Sequence, residues 1–243
     1  MPNRSGNIIL LTASIDPAVS NTPLTKITDP KIRLAQYTQV IEKLIETGAF
    51  SIIIFCENTN YEFNKDVLLN KAIQKGIELE FISFSGDHEK VKQLGKGYGE
   101  GEIIKYAIEH SKHLNDEAIF YKLTGRVFIK NIKRIVNKDH KKQTIFIRAQ
   151  RNKRIIDARF FKTSVKFFKE HLMNVFTEVN DLQKHYLEMV YFEKLNGIGH
   201  IDRFSEFPFI TGLSGSTGEK YDQSKYEYFK YSLLLRTGFL NVN

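Results

Sequence analysis

Two largely apolar runs, Asn7 to Ile15 (NIILLTASI) and Ser51 to Cys56 (SIIIFC), head the chain, and Glu78 to Phe84 (ELEFISF) reads as a third strand. A run that is largely apolar, rather than apolar at alternate positions, suits a strand buried on both faces. Such strands belong to parallel sheets covered by helices. The stretch after Asp29 supplies the first cover. Asp29 is a cap, Pro30 takes the first helical position and Gly48 ends the helix near Thr47, with Ile32, Tyr37, Val40, Ile41, Leu44 and Ile45 facing inward. A second helix is expected from roughly Lys65 to Lys75. This alternation predicts an α/β protein, a three-layer α/β/α sandwich around a mostly parallel, Rossmann-like sheet. With 243 residues and 42% hydrophobic content, one domain over 1–222 is expected, followed by a helical extension over 223–243.

The stretch from Gly95 to Arg126 reads as the ligand site. Gly95, Gly97, Gly99 and Gly101 alternate with Lys96, Tyr98, Glu100 and Glu102. As a loop, such a run lets backbone amides approach an anion while a cation and an aromatic ring stand beside it. A helix carrying Ile103, Ile104, Ala107, Ile108 and Leu114 follows, then a short strand from Ala118 to Leu123. That strand ends in Thr124, Gly125 and Arg126, with Lys122 just before. Ligands of open α/β sheets bind outside the carboxyl ends of strands.

Further on, Gln143 to Ala149 reads as a strand, and Arg148, Arg151, Lys153, Arg154 and Arg159 lie close together. Lys162 to Phe176 and Asp181 to Leu195 read as amphipathic helices, the second containing Glu188. Gly212, Ser214, Gly215, Ser216, Thr217 and Gly218 form a small-residue loop suited to closing over a ligand. The last helix, from roughly Gln223 to Arg236, is expected to pack on the domain; its aromatic and basic residues also suit an anionic membrane surface.

The formal charge of +8 implies an anionic partner of some kind. Cys56, the single cysteine, excludes an internal disulfide and fits a reducing compartment. No run approaches a membrane span, and IILLTASI is shorter than a signal-peptide core, so a cytoplasmic location is expected. The chain lacks GxxxxGK[ST], HExxH, GxSxG and CxxC motifs, and GKGYGEG misses the GxGxxG dinucleotide spacing.

Taken together, the blocks LTAS, FCEN, GKGYGE, FYKLTGR and FITGLSGSTG, spread from Ile8 to about Tyr221, resemble bacterial surface-polysaccharide (capsule, O-antigen, lipooligosaccharide) glycosyltransferases of GT-A-like type. The resemblance implies a nucleotide-sugar donor held by the first half and a saccharide or lipid-linked acceptor held by the second. Metal-dependent members carry Asp-x-Asp at the end of the mid-chain strand, where this chain has Lys122-Leu123-Thr124-Gly125-Arg126. That departure leads us to expect no cofactor and a metal-independent transfer, although the fold also admits a divalent metal. Thr12, Ser14, Glu57 and Asn58 are expected at the nucleoside, and Lys96, Gly97, Tyr98, Gly99, Lys122, Thr124, Gly125 and Arg126 along the phosphates. Arg148, Arg159, Ser214, Gly215 and Ser216 are expected at a phosphate or the acceptor. Glu100, Glu188 and Arg126 are the catalytic candidates, with Glu57, Asp202 and Glu206 as further carboxylates that spacing does not separate. Nucleotidyl transfer on the same fold, a noncatalytic scaffold and a nucleic-acid-binding protein are the alternatives. The last is disfavoured because the basic residues are scattered and carry no reading motif, so no nucleic-acid partner is expected.

Overall fold

The computed structural model describes residues 6–23, 25–151, 153–213, 218 and 220–242. β1 (Ile8–Ala13) leads through a 3-10 turn into α1 (Pro30–Thr47), and β2 (Ile52–Glu57), α2 (Asp66–Gln74) and β3 (Glu78–Ser83) follow. Asp29 caps α1 by accepting from the Lys31 and Ile32 amides at 2.8 and 3.3 Å. Next come α3 (His88–Leu94), α4 (Lys96–His110), β4 (Ile119–Thr124), β5 (Val127–Ile129) and α5 (Ile132–Lys138). The second half holds β6 (Phe160–Ser164), α6 (Val165–His171), α7 (Leu187–Leu195), β7 (Ile210–Leu213), β8 (Lys220–Asp222) and α8 (Lys225–Arg236).

The main sheet has the order β3-β2-β1-β4-β6, parallel except for β6, which runs antiparallel to β4. β5, β7 and β8 form a small antiparallel sheet beside it. Side chains alternate across β1. Ile9, Leu11 and Ala13 pack with α1 and α2, whereas Ile8 and Leu10 pack with α4, α6 and α7. Three layers result, and each aliphatic side chain buried in them contributes about 1.5–3 kcal/mol. The last helix packs on the first of these faces through Leu235, with Tyr228 stacked on Phe209 and Tyr231 on Phe207 at 4.6 and 5.2 Å. Among the described residues no helix is long and apolar enough to cross a membrane.

Several local expectations fail for identifiable reasons. The glycine run is not a loop, because α4 begins at Lys96 and contains Gly97, Gly99 and Gly101. Glycine is needed at Gly101, where the ideal position of an added Cβ would lie 2.7 Å from Phe176 Cγ. Gln143 to Ala149 makes only isolated bridges, Ile145 to Lys162 and to Asp202, and Arg148 to Ile156. The expected helix from Lys162 starts later. Residues 160–164 pair with β4, and Ser164 caps α6 by accepting from the Phe167 amide at 3.1 Å. The expected helix from Asp181 is broken by Lys184 in left-handed conformation (φ 62°), leaving Leu182 exposed and α7 to start at Leu187. On α1, Ile32 is 51% exposed and Arg33 takes the inward position instead. Ser214, Gly215 and Ser216 lie outside the described residues.

Candidate active site

The chain lays β2 and β3 on one side of β1 and then returns to lay β4 on the other. Strand order therefore reverses between β1 and β4, and a crevice opens beyond their carboxyl ends, where α/β sheets bind ligands. A partly open pocket lies there. Thr12 and Ser14 line it from the end of β1, Asn58 from the end of β2, Lys96, Gly99 and Glu100 from α4, and Thr124 and Arg126 from the end of β4. Gly125 makes the meeting of β1 and β4 tight. Its amide donates to the Thr12 carbonyl at 2.9 Å, and an added Cβ would lie 2.8 Å from that same oxygen and 2.9 Å from the Tyr37 ring.

Register builds the floor of the pocket. Thr12 pairs with Thr124 across the parallel ladder, and Lys122 lies two residues earlier on the same face of β4. Glu100, reaching down from α4, accepts from Thr12 at 3.2 Å, from Thr124 at 3.0 Å and from Lys122. Lys122 is fully buried and also donates to Thr124 Oγ1 at 3.0 Å and to the Ala158 carbonyl at 2.7 Å. An ammonium has three donors, so these contacts use all of them. Lys122, expected to face phosphate, instead orients Glu100 and Thr124.

Arg126 is placed differently. It is 8% exposed, donates from Nη1 to Gln36 at 3.3 Å and lies 5.9 Å from the centre of the Tyr37 ring. Its Nε has no hydrogen-bond partner among the described residues. A buried donor left so costs about 1–3 kcal/mol until something accepts from it. Arg33, which the sequence reading overlooked, lies beside it on the same wall. Its guanidinium donates to the Ser14 and Ile27 carbonyls at 2.7 and 3.1 Å and to the Tyr37 hydroxyl at 3.2 Å, tying down the segment after β1. Burial lowers its pKa, Tyr37 opposes that and Arg126 adds to it. The signal was present, since Arg33 precedes Tyr37 by four residues on the inward face.

The amide of Gly97 is not available to phosphate, because it donates to the Asp181 carboxylate at 3.0 Å. Asp181 thus caps α4 from outside and fills the anion position that a helix start offers. Tyr98 packs edge-on against Phe176 and does not line the pocket. Glu57 turns its carboxylate onto the Thr59 and Tyr61 amides at 2.9 and 3.0 Å and onto the Thr59 and Ser83 hydroxyls, which fixes the end of β2. Arg148 donates to the Val242 carbonyl at 3.1 Å and holds the C-terminal segment. Arg159 forms a two-pronged pair with Asp157 at 2.8 and 2.7 Å, and its carbonyl accepts from the Thr124 amide. Glu206 is engaged by Arg134 and Lys138, and Asp202 is exposed next to its bridge with Ile145.

Environment separates the two leading carboxylates. Burial alone would raise the pKa of Glu100, but the Lys122 charge and hydrogen bond, with Thr124 and Thr12, hold it below the usual range. Glu188, at the start of α7, is raised by burial and by the charges of Glu100 and Asp181, against the opposing pull of Lys96. Glu188 is not among the residues that line the pocket. Among the described residues no three His, Cys, Asp or Glu side chains gather as metal ligands, and the fixed charge at the end of β4 is positive.

No family model and no curated protein matches the sequence. Among solved structures, the fold is similar to a protein assigned as a glucose-1-phosphate thymidylyltransferase from Bacillus anthracis, crystallised with sucrose (TM-score 0.48, 12% identity, 95% of each chain covered). It is also similar to one assigned as a nucleotide-diphospho-sugar transferase from Desulfovibrio desulfuricans G20 (TM-score 0.42, 12% identity, 78% of this chain and 74% of that one). Superposition this loose, at this identity, says nothing about chemistry.

Proposed function

We propose that the chain is a glycosyltransferase that moves a sugar from a nucleotide-sugar donor to a saccharide or lipid-linked acceptor without a divalent metal, in bacterial surface-polysaccharide synthesis. The observation that carries this reading is Arg126, a buried guanidinium whose Nε has no hydrogen-bond partner among the described residues, set in the crevice where strand order reverses. The motif blocks supply the polysaccharide context.

In this reading Thr12, Ser14 and Asn58 face the nucleoside while Lys96 and Arg126 face the diphosphate. The acceptor hydroxyl attacks the anomeric carbon, the bond from that carbon to the phosphate oxygen breaks, and the nucleotide leaves with the bonding electron pair. Arg126 offsets the charge that builds on the departing phosphate, a stabilisation that grows toward the transition state. The acceptor proton passes to a carboxylate. Glu100 lines the pocket but is held down by Lys122 and two hydroxyls, whereas Glu188 lies outside the lining and is raised by burial, so each is a candidate for this role.

A thermal-shift screen against UDP, GDP, dTDP, CMP and their sugar conjugates, each with chelator or with manganese, tests the proposal. One nucleotide class should raise the midpoint in chelator. Release of pyrophosphate rather than nucleotide during turnover would replace sugar transfer by nucleotidyl transfer, and no shift with any ligand would remove the donor site.

A further inference from the structure

The inner face of α8 is spent on packing and its outer face is apolar. Tyr226, Phe229 and Leu233 are 77%, 73% and 56% exposed. At spacings of three and four residues they form one stripe along the helix, turned away from buried Leu235. Cations border the stripe on both sides, Lys230 on one edge and Lys225 and Arg236 on the other. The one acid of the helix, Glu227, is folded into the capping box, where it accepts from the Ser224 amide at 3.0 Å. Just beyond the helix, Phe239 is 45% exposed with the Arg151 guanidinium 3.7 Å from the centre of its ring, and Lys153 and Arg154 stand exposed nearby in sequence.

We propose that this face docks on the surface of an anionic lipid bilayer, with Tyr226, Phe229 and Leu233 entering the headgroup boundary and Lys225, Lys230 and Arg236 holding lipid phosphates. Charge decides among the occupants. A second copy would bring the same cations against each other, and four exposed apolar side chains fall well short of the roughly 800 Å² per partner of a standard interface. A bilayer instead accepts a narrow apolar stripe edged by long cationic side chains, whose stems lie along the boundary while their charges reach the phosphates. The proposal stands on the helix alone and does not depend on the chemistry of the pocket.

Co-sedimentation of the full chain with vesicles of phosphatidylcholine containing about one-third phosphatidylglycerol, and with pure phosphatidylcholine, tests it. Binding to the anionic vesicles should weaken as salt rises. It should fall by about tenfold or more when Lys230→Glu and Arg236→Glu are combined, since each cation near such a surface contributes about a fivefold factor. Phe229→Ser with Leu233→Ser should also release the protein. Val67→Ser, at an exposed position of α2, should bind as the wild type does. Melting curves and nucleotide-induced shifts of the α8 variants should match the wild type, which separates docking from folding and from the pocket. Equal binding to both vesicle types, unchanged binding of the α8 variants, or a dimer that Phe229→Ser dissolves would each overturn the proposal.

Discussion

At the scale of single residues, the proposed function rests on Arg126 in the crevice lining, with Lys122 beneath Glu100 and Glu188 outside the lining. If Arg126 offsets the leaving phosphate as proposed, Arg126→Ala should lower kcat/KM by about 10²–10³-fold, the usual loss for one preorganised donor, while the folded state persists. Arg126→Lys should recover little of it, because an ammonium cannot reproduce the planar contacts with Gln36 and Tyr37. Lys122 carries structure. Lys122→Met should cost about 3 kcal/mol in urea unfolding, since it strands Glu100 and the Ala158 carbonyl, and adding Glu100→Gln should restore part of that. Glu188 should show the opposite sign. A carboxyl whose pKa is raised on folding is fully tolerated below the ordinary carboxylate range and costs stability as pH rises through its folded value. Glu188→Gln should therefore raise the melting temperature near neutral pH, lose that gain in acid, and cut turnover. Unchanged turnover would take Glu188 out of the reaction. The types and positions of Thr12, Thr124 and Arg126 were legible because strand ends are legible. The inward turn of Lys122 was not, because its partner Glu100 is brought in by a helix.

At the scale of elements, the long apolar runs announced themselves and the short ones did not. Six-residue strands buried on both faces leave a continuous aliphatic record, as β1 and β2 do. The glycine run misled because a helix with three glycines in its first turns, a fourth at its N-cap and no side-chain cap is a poor helix on propensity alone. It is stabilised from a distance. Asp181, 84 residues away, caps its start, and the absent Cβ atoms let Phe176 and Val179 close over it. Such support is tertiary and leaves no mark in the local sequence. Gly125 is the stricter case, because the atoms an added Cβ would meet include the backbone of β1 itself. Gly125→Ala should cost about 1–3 kcal/mol, the usual range for overpacking, and should weaken nucleotide binding with it, because β4 can no longer lie against Thr12. A variant that stays stable and binds normally would mean that the pocket does not need this approach.

At the scale of the whole molecule, the sheet order places one crevice between β1 and β4, and Arg33, Lys96 and Arg126 stand in its lining. The parallel alternation of strands and helices from β1 to β4 was legible in the runs, whereas the strand order, the antiparallel β6 and the small sheet of β5, β7 and β8 were not, since strands of three to five residues carry too few side chains to show a period. In the proposed function this crevice binds a nucleotide through Lys96 and Arg126. The measurement that tests it most directly is a calorimetric titration, in chelator, of the nucleoside diphosphate that best raises the melting point, into wild type and into Arg126→Ala. The wild type should bind without metal and the variant should lose about tenfold or more in affinity, the weight of one charge-assisted hydrogen bond. Binding that requires a divalent ion, or equal affinity in the two proteins, would contradict it.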